Sequence, residues 1–358
     1  MESDVSELLA RQIIERCRGL GFAAAGVAPA RPSAWAGAMR AWLEAGSQGG
    51  MEYMSRDLEV RLDPRRILEG TRSFLVVADQ YAPRGSEHDS RLAEDRPMGR
   101  VARYAQGRNY HEVMKRRLHT LADALRVEIP GSEFRTCVDT APIMERELAV
   151  AAGLGWQAKN TMVIHPRLGS YLLLGVVATT LDLVPPAEQW VATDHCGTCT
   201  RCIDACPTKA ITPYRVEGSR CISYLTIEHR GLVAKDLHAG IGDWMYGCDV
   251  CQDVCPHNSP REESGTPHPA YAPRTTHLDV LCVLGWDRAG REEAFKVSPM
   301  KRASLAMMKR NALIVAGNAL RARASAGLEG RIREISGDHQ EPEEVRGTAR
   351  DVLESLQV

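Results

Sequence analysis

The spacing of hydrophobic positions predicts helices and strands in alternation over the first half of the chain. Residues 5–18 place Ile13 and Cys17 on the same face, as an amphipathic helix does. Two short apolar runs, "GFAAAGVAP" at 21–29 and "FLVVA" at 74–78, predict buried strands. The N-terminal part of the chain thus begins with a helix and two strands, and other elements must pack over these strands to bury them.

Helices and strands continue to alternate over residues 110–184. Apolar positions at i, i+4 spacing predict a helix over 110–125, and a third helix is expected over 141–152. A loop at 153–168 and a strand pair within "SYLLLGVVATTLDL" follow. Strands mixed with helices predict an α/β or α+β domain that ends near residue 184.

Two proline-rich stretches divide the rest of the chain. "VPPAEQW" and "SPREESGTPHPAYAPRTTH" are typical of linkers. They predict three domains, at 1–184, 185–262 and 263–358.

The last domain shows two amphipathic patterns. The first carries Leu305, Met308, Ala312, Val315 and Ala319 on one face, and the second, over 342–357, carries Val345, Ala349, Val352 and Leu356. Two such helices resemble one helical repeat of the HEAT kind, which must bury its apolar face on a neighbour. Arg302 and Lys309 share a stripe, which is either a solvated face or a contact for a nucleic-acid backbone.

Composition adds limits to this picture. The 358 residues include 44% hydrophobic and 25% charged residues, with a net charge of −1, which is ordinary for a globular protein. The N-terminus lacks the pattern of a secretory signal, and the longest apolar stretch is too short for a membrane span, so we expect a cytoplasmic protein. Its eleven cysteines are then expected to bind metal rather than to form disulfides.

Eight of these cysteines lie in or between two runs. "HCGTCTRCIDACP" has the C-x2-C-x2-C-x3-C-P spacing of bacterial ferredoxins, and "GCDVCQDVCP" is a shorter version of it. Because the last cysteine of such a run binds the other cluster, we predict two crossed 4Fe–4S sites. The ligands of one are Cys196, Cys199, Cys202 and Cys255, and those of the other are Cys206, Cys221, Cys248 and Cys251.

Two alternatives remain open for these thiols. Cys–His sets can bind zinc, and His195 and His257 flank the runs. If Cys221 is not a ligand, the second site holds a three-iron cluster. Cys17, Cys137 and Cys282 are expected to be small core residues.

Several longer motifs resemble epoxyqueuosine reductases over nearly the whole chain. These are "RYAQGRNYH", "DTAPIMERELAVAAGLGWQAKNTMVIHPRLGSYLLLGVVAT", the cysteine runs, "CISYLTIEHRG" and "KRNALIVAGNAL". The resemblance implies a nitroreductase-like cobalamin domain, a ferredoxin-like domain with two 4Fe–4S clusters, and reduction of epoxyqueuosine to queuosine at the tRNA wobble position. The chain has no D-x-H-x-x-G motif, so the resemblance implies cobalamin held without a lower histidine ligand.

The resemblance makes Asp139, in "DTAP", the proton donor to the departing oxygen. A carboxylic acid in this role must hold its proton near neutral pH, so we expect burial to raise the pKa of Asp139. The alternative is that Asp139 caps the helix at 141–152, with Pro142 in its first turn.

The resemblance also suggests contacts for the cofactor and substrate. The glycine-rich loop 153–170 and the insert between Cys221 and Cys248 are expected to surround cobalamin and the tRNA anticodon. The expected cobalamin contacts, besides Asp139, are Arg61, Tyr104, Lys159, Asn160, His165, Ser170, Ser223 and Asp249.

Other functions fit parts of the pattern. One alternative is a corrinoid reductase of a small molecule, like the reductive dehalogenases. Another is a ferredoxin-type electron-transfer subunit or a tRNA-binding module without chemistry. For the tRNA enzyme we expect a monomer, an external low-potential electron donor and no membrane partner.

Overall fold

The computed structural model describes residues 2–86, 96–189, 193–261 and 265–357. The helices are α1 Glu2–Gly19, α2 Ala36–Glu44, α3 Leu58–Leu62, α4 Arg103–Gln106, α5 Tyr110–Glu128, α6 Glu145–Ala151, α7 Arg201–Asp204, α8 Ile222–Ile227, α9 Lys235–Ile241, α10 Val250–Asp253, α11 Val280–Leu284, α12 Arg288–Ala294, α13 Leu305–Ala322, α14 Ala326–Gly337 and α15 Glu343–Ser355. The strands are β1 Ala24–Pro29, β2 Ser73–Gln80, β3 Met98–Val101, β4 Phe134–Cys137, β5 Trp156–Gln157, β6 Val163–Ile164, β7 Leu172–Thr179, β8 Ile211–Thr212, β9 Arg215–Val216, β10 Trp244–Tyr246 and β11 His277–Asp279. None of these helices combines the length and apolar character needed to cross a bilayer.

A four-stranded sheet forms the base of the first segment. Its order is β1-β2-β7-β4, and every neighbouring pair is antiparallel. Helices cover both faces, so β2 is buried along its whole length. Leu75 and Val77 join the core under α1 and α5, while Val76 and Ala78 join the core under α6. The two-sided burial explains why this strand is a continuous apolar run.

Four of the predicted elements of this segment are confirmed, and three differ. The helices at 5–18 and 110–125 and the strands at 21–29 and 74–78 are present as α1, α5, β1 and β2. The third helix begins at Glu145 instead of residue 141, because turns occupy the residues before it. The predicted strand pair is one strand, β7, and the preceding loop contains the β5–β6 hairpin.

A second sheet joins the three predicted domains. Its central strand, β3, pairs in parallel with β10 and antiparallel with β11. The three strands come from the segments 1–184, 185–262 and 263–358 respectively. The segments therefore share backbone hydrogen bonds, and the domain borders stay a prediction.

The C-terminal segment differs from the predicted pair of helices. A third helix, α14, lies between α13 and α15, and α13 is buried nearly all round, with Arg310 at 0% exposure. The stripe of Arg302 and Lys309 does not form. Arg302 lies in the 3-10 turn Pro299–Arg302, while Lys309 is buried and pairs with Glu341. Lys309 is thus neither part of a solvated face nor placed to contact a nucleic-acid backbone.

The three cysteines outside the runs fall into two classes. Cys17 and Cys137 are buried, as predicted, and burial raises the pKa of their thiols to about 12 and about 11. Cys282 is exposed, so its assignment to the core was wrong. It lies on the short helix α11, and its backbone N donates to the N-cap Asp279 at 2.9 Å.

Candidate functional site

The first predicted set of thiols lines one pocket. Cys196 and Cys199 come from the loop before α7, Cys202 from α7 itself, and Cys255 from the end of the second run. Burial raises the pKa of Cys255 most. The charges of the three other thiols of this set raise it further, because these thiols lie nearby. The structure thus brings together the four residues that the crossed assignment groups.

The second predicted set meets on the other side of α7. Cys206 is buried, and Cys221 and Cys251 pack against it. Burial raises the pKa of Cys248, and the charges of the Cys221 and Cys206 thiols raise it further. Cys221 is therefore within this set, despite the 26-residue insert that separates it from Cys248.

The two sets differ from a site for a single ion. Within the four described ranges, no three His, Cys, Asp or Glu side chains converge closely enough to hold one metal ion. Zinc requires thiolates about 4 Å apart, since each Zn–S bond is about 2.3 Å. Eight thiols spread over two groups fit larger inorganic clusters.

The surroundings of the first set offer hydrogen-bond donors. Trp156 is 2% exposed, packs against Cys196 and Cys255, and its indole Nε1 has no nitrogen or oxygen acceptor. Lys159 Nζ donates to Gly197 O at 2.6 Å and to Cys199 O at 3.1 Å. Lys159, predicted as a corrin contact, thus holds the ligand-bearing loop in place.

Three other predicted cofactor contacts also have protein partners. Asn160 Nδ2 donates to Cys251 O at 3.2 Å, and Ser170 Oγ accepts from Asn258 Nδ2 at 2.8 Å. Asp249 is 1% exposed and forms an ion pair with Arg103 at 3.2 Å. These residues join the β7 loop to the thiol-bearing segment.

His165 and Ser223 act locally. His165 Nδ1 accepts from the backbone of Arg167 and Leu168, and burial lowers the pKa of His165 to about 4, so the ring stays neutral. Ser223 follows the N-cap of α8, and its backbone and side chain face the Cys221 thiol.

Asp139 lies in a strained turn between β4 and α6. Its φ is +59°, in the left-handed region that β-carbon sterics disfavour. Thr140 N donates to Val138 O at 2.6 Å, so Asp139 is the centre of a three-residue turn of the rare, positive-φ kind. Such strain costs about 1–3 kcal/mol and persists only where surrounding contacts fix it.

The helix-cap alternative for Asp139 is wrong. The N-cap of α6 is Met144, which makes no side-chain cap, and α6 begins at Glu145. The hydrogen bond runs the other way, because Asp139 N donates to Glu145 Oε1 at 2.7 Å. The helix thus anchors the aspartate.

The Asp139 carboxylate faces a set of polar side chains. His111 Nε2 lies 2.9 Å from Asp139 Oδ2, and the Tyr110 hydroxyl lies beside them. Burial acts to raise the pKa of Asp139, but His111, Tyr110 and the charge of Arg302 outweigh burial and lower it. The expected rise in this pKa is therefore wrong for the protein without ligands. The side chain is 57% exposed, so water still reaches it. We call the surroundings of Asp139, which include His111, Glu145, Arg302 and Tyr53, the cleft.

Glu145 carries the raised pKa in this cleft. Burial and then the charge of Asp139 raise the pKa of Glu145 to about 8, although Arg146 and Arg61 act in the opposite direction. Burial lowers the pKa of Arg61, and its Nε is buried without a partner. At neutral pH the cleft thus holds one carboxylate and one carboxylic acid.

The opposite wall comes from the other two segments. Arg302 donates to both oxygens of Glu228, at 2.8 and 2.7 Å, and lies 5.6 Å from the centre of the Tyr53 ring. Tyr53 is 37% exposed, which is unusual for so large an aromatic side chain inside a cleft. An aromatic face with charged groups at its rim is suited to a flat, polar-edged ligand.

Tyr104 connects this cleft to the second thiol set. Its ring lies 6.1 Å from that of Tyr110 and 6.4 Å from that of Tyr246. It also packs against the apolar cluster that Cys221 and Cys248 border. The predicted cofactor contact Tyr104 therefore lies between the proton-bearing groups and the thiols.

Sequence reasoning missed five residues of the cleft. Tyr110 and His111 begin α5 just after the N-cap Asn109, and a polar Asn-Tyr-His start to an apolar helix was the available signal. Tyr53, Glu145 and the pairing of Arg302 with Glu228 left no local pattern. The missed cleft residues are Tyr53, Tyr110, His111, Glu145 and Tyr246.

Two family models match parts of the chain. The 4Fe-4S double cluster binding domain matches residues 195–258, which supports iron–sulfur clusters over zinc at the thiols. The model described as Epoxyqueuosine reductase QueG, DUF1730, matches residues 61–140, which include Arg61, Tyr104 and Asp139.

Similar proteins cover almost all of the chain. An epoxyqueuosine reductase of Pseudomonas aeruginosa is 36% identical over 317 residues, 87% of this chain and 86% of that protein. A crystal structure of epoxyqueuosine reductase with an epoxyqueuosine-modified tRNA-Tyr stem loop is 27% identical, covers 96% of this chain and 89% of its own, and has a TM-score of 0.86. The Bacillus subtilis epoxyqueuosine reductase, at 26% identity, the same coverage and a TM-score of 0.85, is described with its catalytic aspartate loop swung out of the active site.

Proposed function

We propose, from the premise that the chain belongs to the epoxyqueuosine reductase family of oxidoreductases, that it reduces epoxyqueuosine to queuosine in tRNA. The observation that carries the proposal is the position of Tyr104, which contacts both the apolar cluster at Cys221 and Cys248 and the ring of Tyr110 beside Asp139. Electron-carrying and proton-carrying groups thus meet at one cleft.

The clusters and their ligands follow from the thiol geometry. We propose that Cys196, Cys199, Cys202 and Cys255 bind one 4Fe–4S cluster, and that the second is bound by Cys206, Cys221, Cys248 and Cys251. The pocket around the first set, and the thiol neighbours of Cys248 in the second, support this pairing.

Cobalamin fits the cleft beside Asp139. The partnerless Arg61 Nε, the exposed Tyr53 face and the Tyr104 ring are suited to a flat macrocycle with a polar rim. We propose that Arg61, Tyr104 and Ser223 contact it directly. Lys159, Asn160, His165, Ser170 and Asp249 hold the loops around it through the hydrogen bonds described above.

The reaction sets the roles of the chain's own residues. Converting an epoxide to an alkene consumes two electrons and two protons and releases the oxygen as water. When bound, the clusters and cobalamin supply the electrons, which come from an external low-potential donor. Asp139 delivers a proton to the oxygen, since an alkoxide is a poor leaving group until it is protonated.

The low pKa of Asp139 in the open cleft is compatible with this role. A ligand over the cleft excludes water from the exposed carboxylate, and desolvation favours its protonated form. His111 and Tyr110 hold the carboxylate in place, and Glu145 remains a second acid beside it. We also propose that the turn at Asp139 is the counterpart of the mobile loop of the Bacillus subtilis protein.

The tRNA enters from the open side of the cleft. A wobble base in a single-stranded anticodon loop is readily splayed out towards such a cleft. The solved relative with a modified stem loop supports this class of substrate. Because the protein would contact phosphates of the tRNA, its affinity for tRNA should fall steeply as the salt concentration rises. A reductase of a small molecule would not show this salt dependence.

The test is turnover by anaerobically reconstituted protein. Iron, sulfide and corrinoid are counted first, and tRNA carrying epoxyqueuosine is then digested to nucleosides for mass spectrometry. Conversion to queuosine, with none when dithionite or another low-potential donor is omitted, supports the proposal. Fully loaded protein that binds the tRNA without converting it would contradict the proposal.

A further inference from the structure

The geometry points to Glu145 as a positioning residue that fixes the turn bearing Asp139, an inference that rests on the proposed role of Asp139 as proton donor. Two contacts hold Asp139 from opposite ends. Glu145 Oε1 accepts from its backbone N at 2.7 Å, and His111 Nε2 meets its carboxylate at 2.9 Å.

The backbone contact has no substitute within the turn. β4 ends at Cys137, so the sheet offers Asp139 N no acceptor. The 2.6 Å bond from Thr140 N to Val138 O closes the turn around Asp139 but leaves its own N–H free for Glu145. A left-handed aspartate relaxes to ordinary φ values unless a contact such as this one opposes the strain.

Glu145 stands on a rigid support. It is the first residue of α6, and the buried Leu148 and Ala149 fasten that helix to the main sheet. Among the described residues, the backbone–backbone hydrogen bonds of the turn before it, at 139–144, are all short-range, and its longer-range bonds come from the side chains of His111 and Lys115. The contact therefore joins a movable turn to a fixed helix, and its loss frees the placement of the Asp139 carboxylate.

The contact depends on an oxygen acceptor rather than on a charge. The titratable and charged groups around Glu145 include Asp139, Arg146, Arg61, Tyr110 and Cys137. A carboxylic acid and a carboxylate both present an oxygen to the N–H, and so does the amide of glutamine. Glutamine at this position should thus preserve the turn, whereas alanine should release it.

The test compares Glu145→Ala and Glu145→Gln with a matched control. Glu147, on the same helix, accepts from Ala34 N at 2.8 Å and from Ser33 Oγ at 2.6 Å. Glu147→Ala removes an equivalent backbone acceptor without touching the turn. Circular dichroism and melting curves confirm that all three variants are folded.

The first measurement is hydrogen exchange on the cofactor-free protein. Peptides over 138–144 should exchange about tenfold faster in Glu145→Ala, but not in Glu145→Gln or Glu147→Ala. The second is single-turnover reduction of epoxyqueuosine tRNA, which should fall about 100-fold in Glu145→Ala, with unchanged tRNA affinity, and stay within about threefold in Glu145→Gln.

The outcomes separate the two proposals. Unchanged exchange and turnover in Glu145→Ala overturn the positioning role. Equal losses in the alanine and glutamine variants overturn it too, because they make the proton of Glu145 the essential feature. If wild-type protein with all its cofactors converts no epoxyqueuosine, the proposed function fails, while the exchange experiment still decides whether Glu145 holds the turn.

Discussion

The thiol groups and the Asp139 cleft are two kinds of site in one molecule. The thiols come from short runs that include helices α7 and α10, and none of the eight is exposed. The cleft is open, and its side chains come from distant segments and from a strained turn. The thiol groups need cysteine at each ligand position, whereas the Asp139 cleft needs its side chains to be held in the right places. The two sites should therefore fail differently when altered.

The largest effect is expected at the thiols. Cys255→Ser should remove about half of the bound iron and abolish turnover, because the serine hydroxyl is a poor cluster ligand. Iron and sulfide analysis, with spectroscopy of the remaining cluster, measures this. Cys282→Ser, at an exposed position outside both sets, is the control and should keep the full content. Under an uncrossed arrangement, Cys255→Ser and Cys248→Ser would affect the same cluster.

A slightly smaller effect is expected at the carboxylate. Asp139→Asn keeps the shape of the turn but cannot deliver a proton, so turnover should fall by about 10²–10⁴-fold. Cofactor content and tRNA affinity should not change. Asp123→Asn, an exposed ion-pair partner of Arg126 on α5, is the matched control. Near-normal turnover by Asp139→Asn would remove this residue from the proton path.

A change in the pair of Arg302 and Glu228 should alter the pKa of Asp139 and have a smaller effect on turnover. Glu228→Gln leaves the charge of Arg302 uncompensated, and Arg302 already lowers the pKa of Asp139. The high-pH limb of the kcat profile, which reports the substrate-bound enzyme, should therefore move to lower pH, with about a threefold loss at the alkaline end. Turnover from pH 6 to 9 measures the shift. A profile that moves to higher pH would show that Arg302 does not act on Asp139.

The last effect concerns stability and leaves turnover aside. The folded protein holds a proton on Glu145 up to about pH 8, whereas the unfolded chain releases it near 4.5. Glu145 thus makes stability fall as pH rises between these values, by at most about 1.4 kcal/mol per pH unit. Urea unfolding at pH 5, 6.5 and 8 should show wild type losing stability relative to Glu145→Gln across this window. Parallel curves would mean that Glu145 titrates normally.

Sequence patterns predicted the two sites unequally for a physical reason. The C-x2-C spacings keep Cys196, Cys199 and Cys202 close along the chain, so local geometry already groups them. The cleft joins His111 to Asp139 and Arg302 to Glu228 across long stretches of chain, and no local period records such contacts. The predicted helix start at 141 failed because the strained turn occupies that place.

Burial explains the errors in the C-terminal segment. The pattern over α13 indicated a helix with one apolar face, but its other faces also contact protein, where Arg310 and Asn311 bind backbone carbonyls of the insert. The sequence does not show whether a polar side chain on a helix is hydrogen-bonded to water or to a backbone carbonyl. Lys309 and Arg310 were therefore indistinguishable in sequence from surface cations.

The sheet shared by the three segments also bears on how the chain is made. Strand β3 is the middle of that sheet, yet both of its neighbours are synthesised much later, at 244–246 and 277–279. During translation it emerges with two unpaired edges, and such edges readily capture other chains. A fragment cut at residue 184 keeps this exposure permanently and should aggregate, whereas the full chain closes both edges itself. Production of the catalytic segment therefore depends on the whole polypeptide.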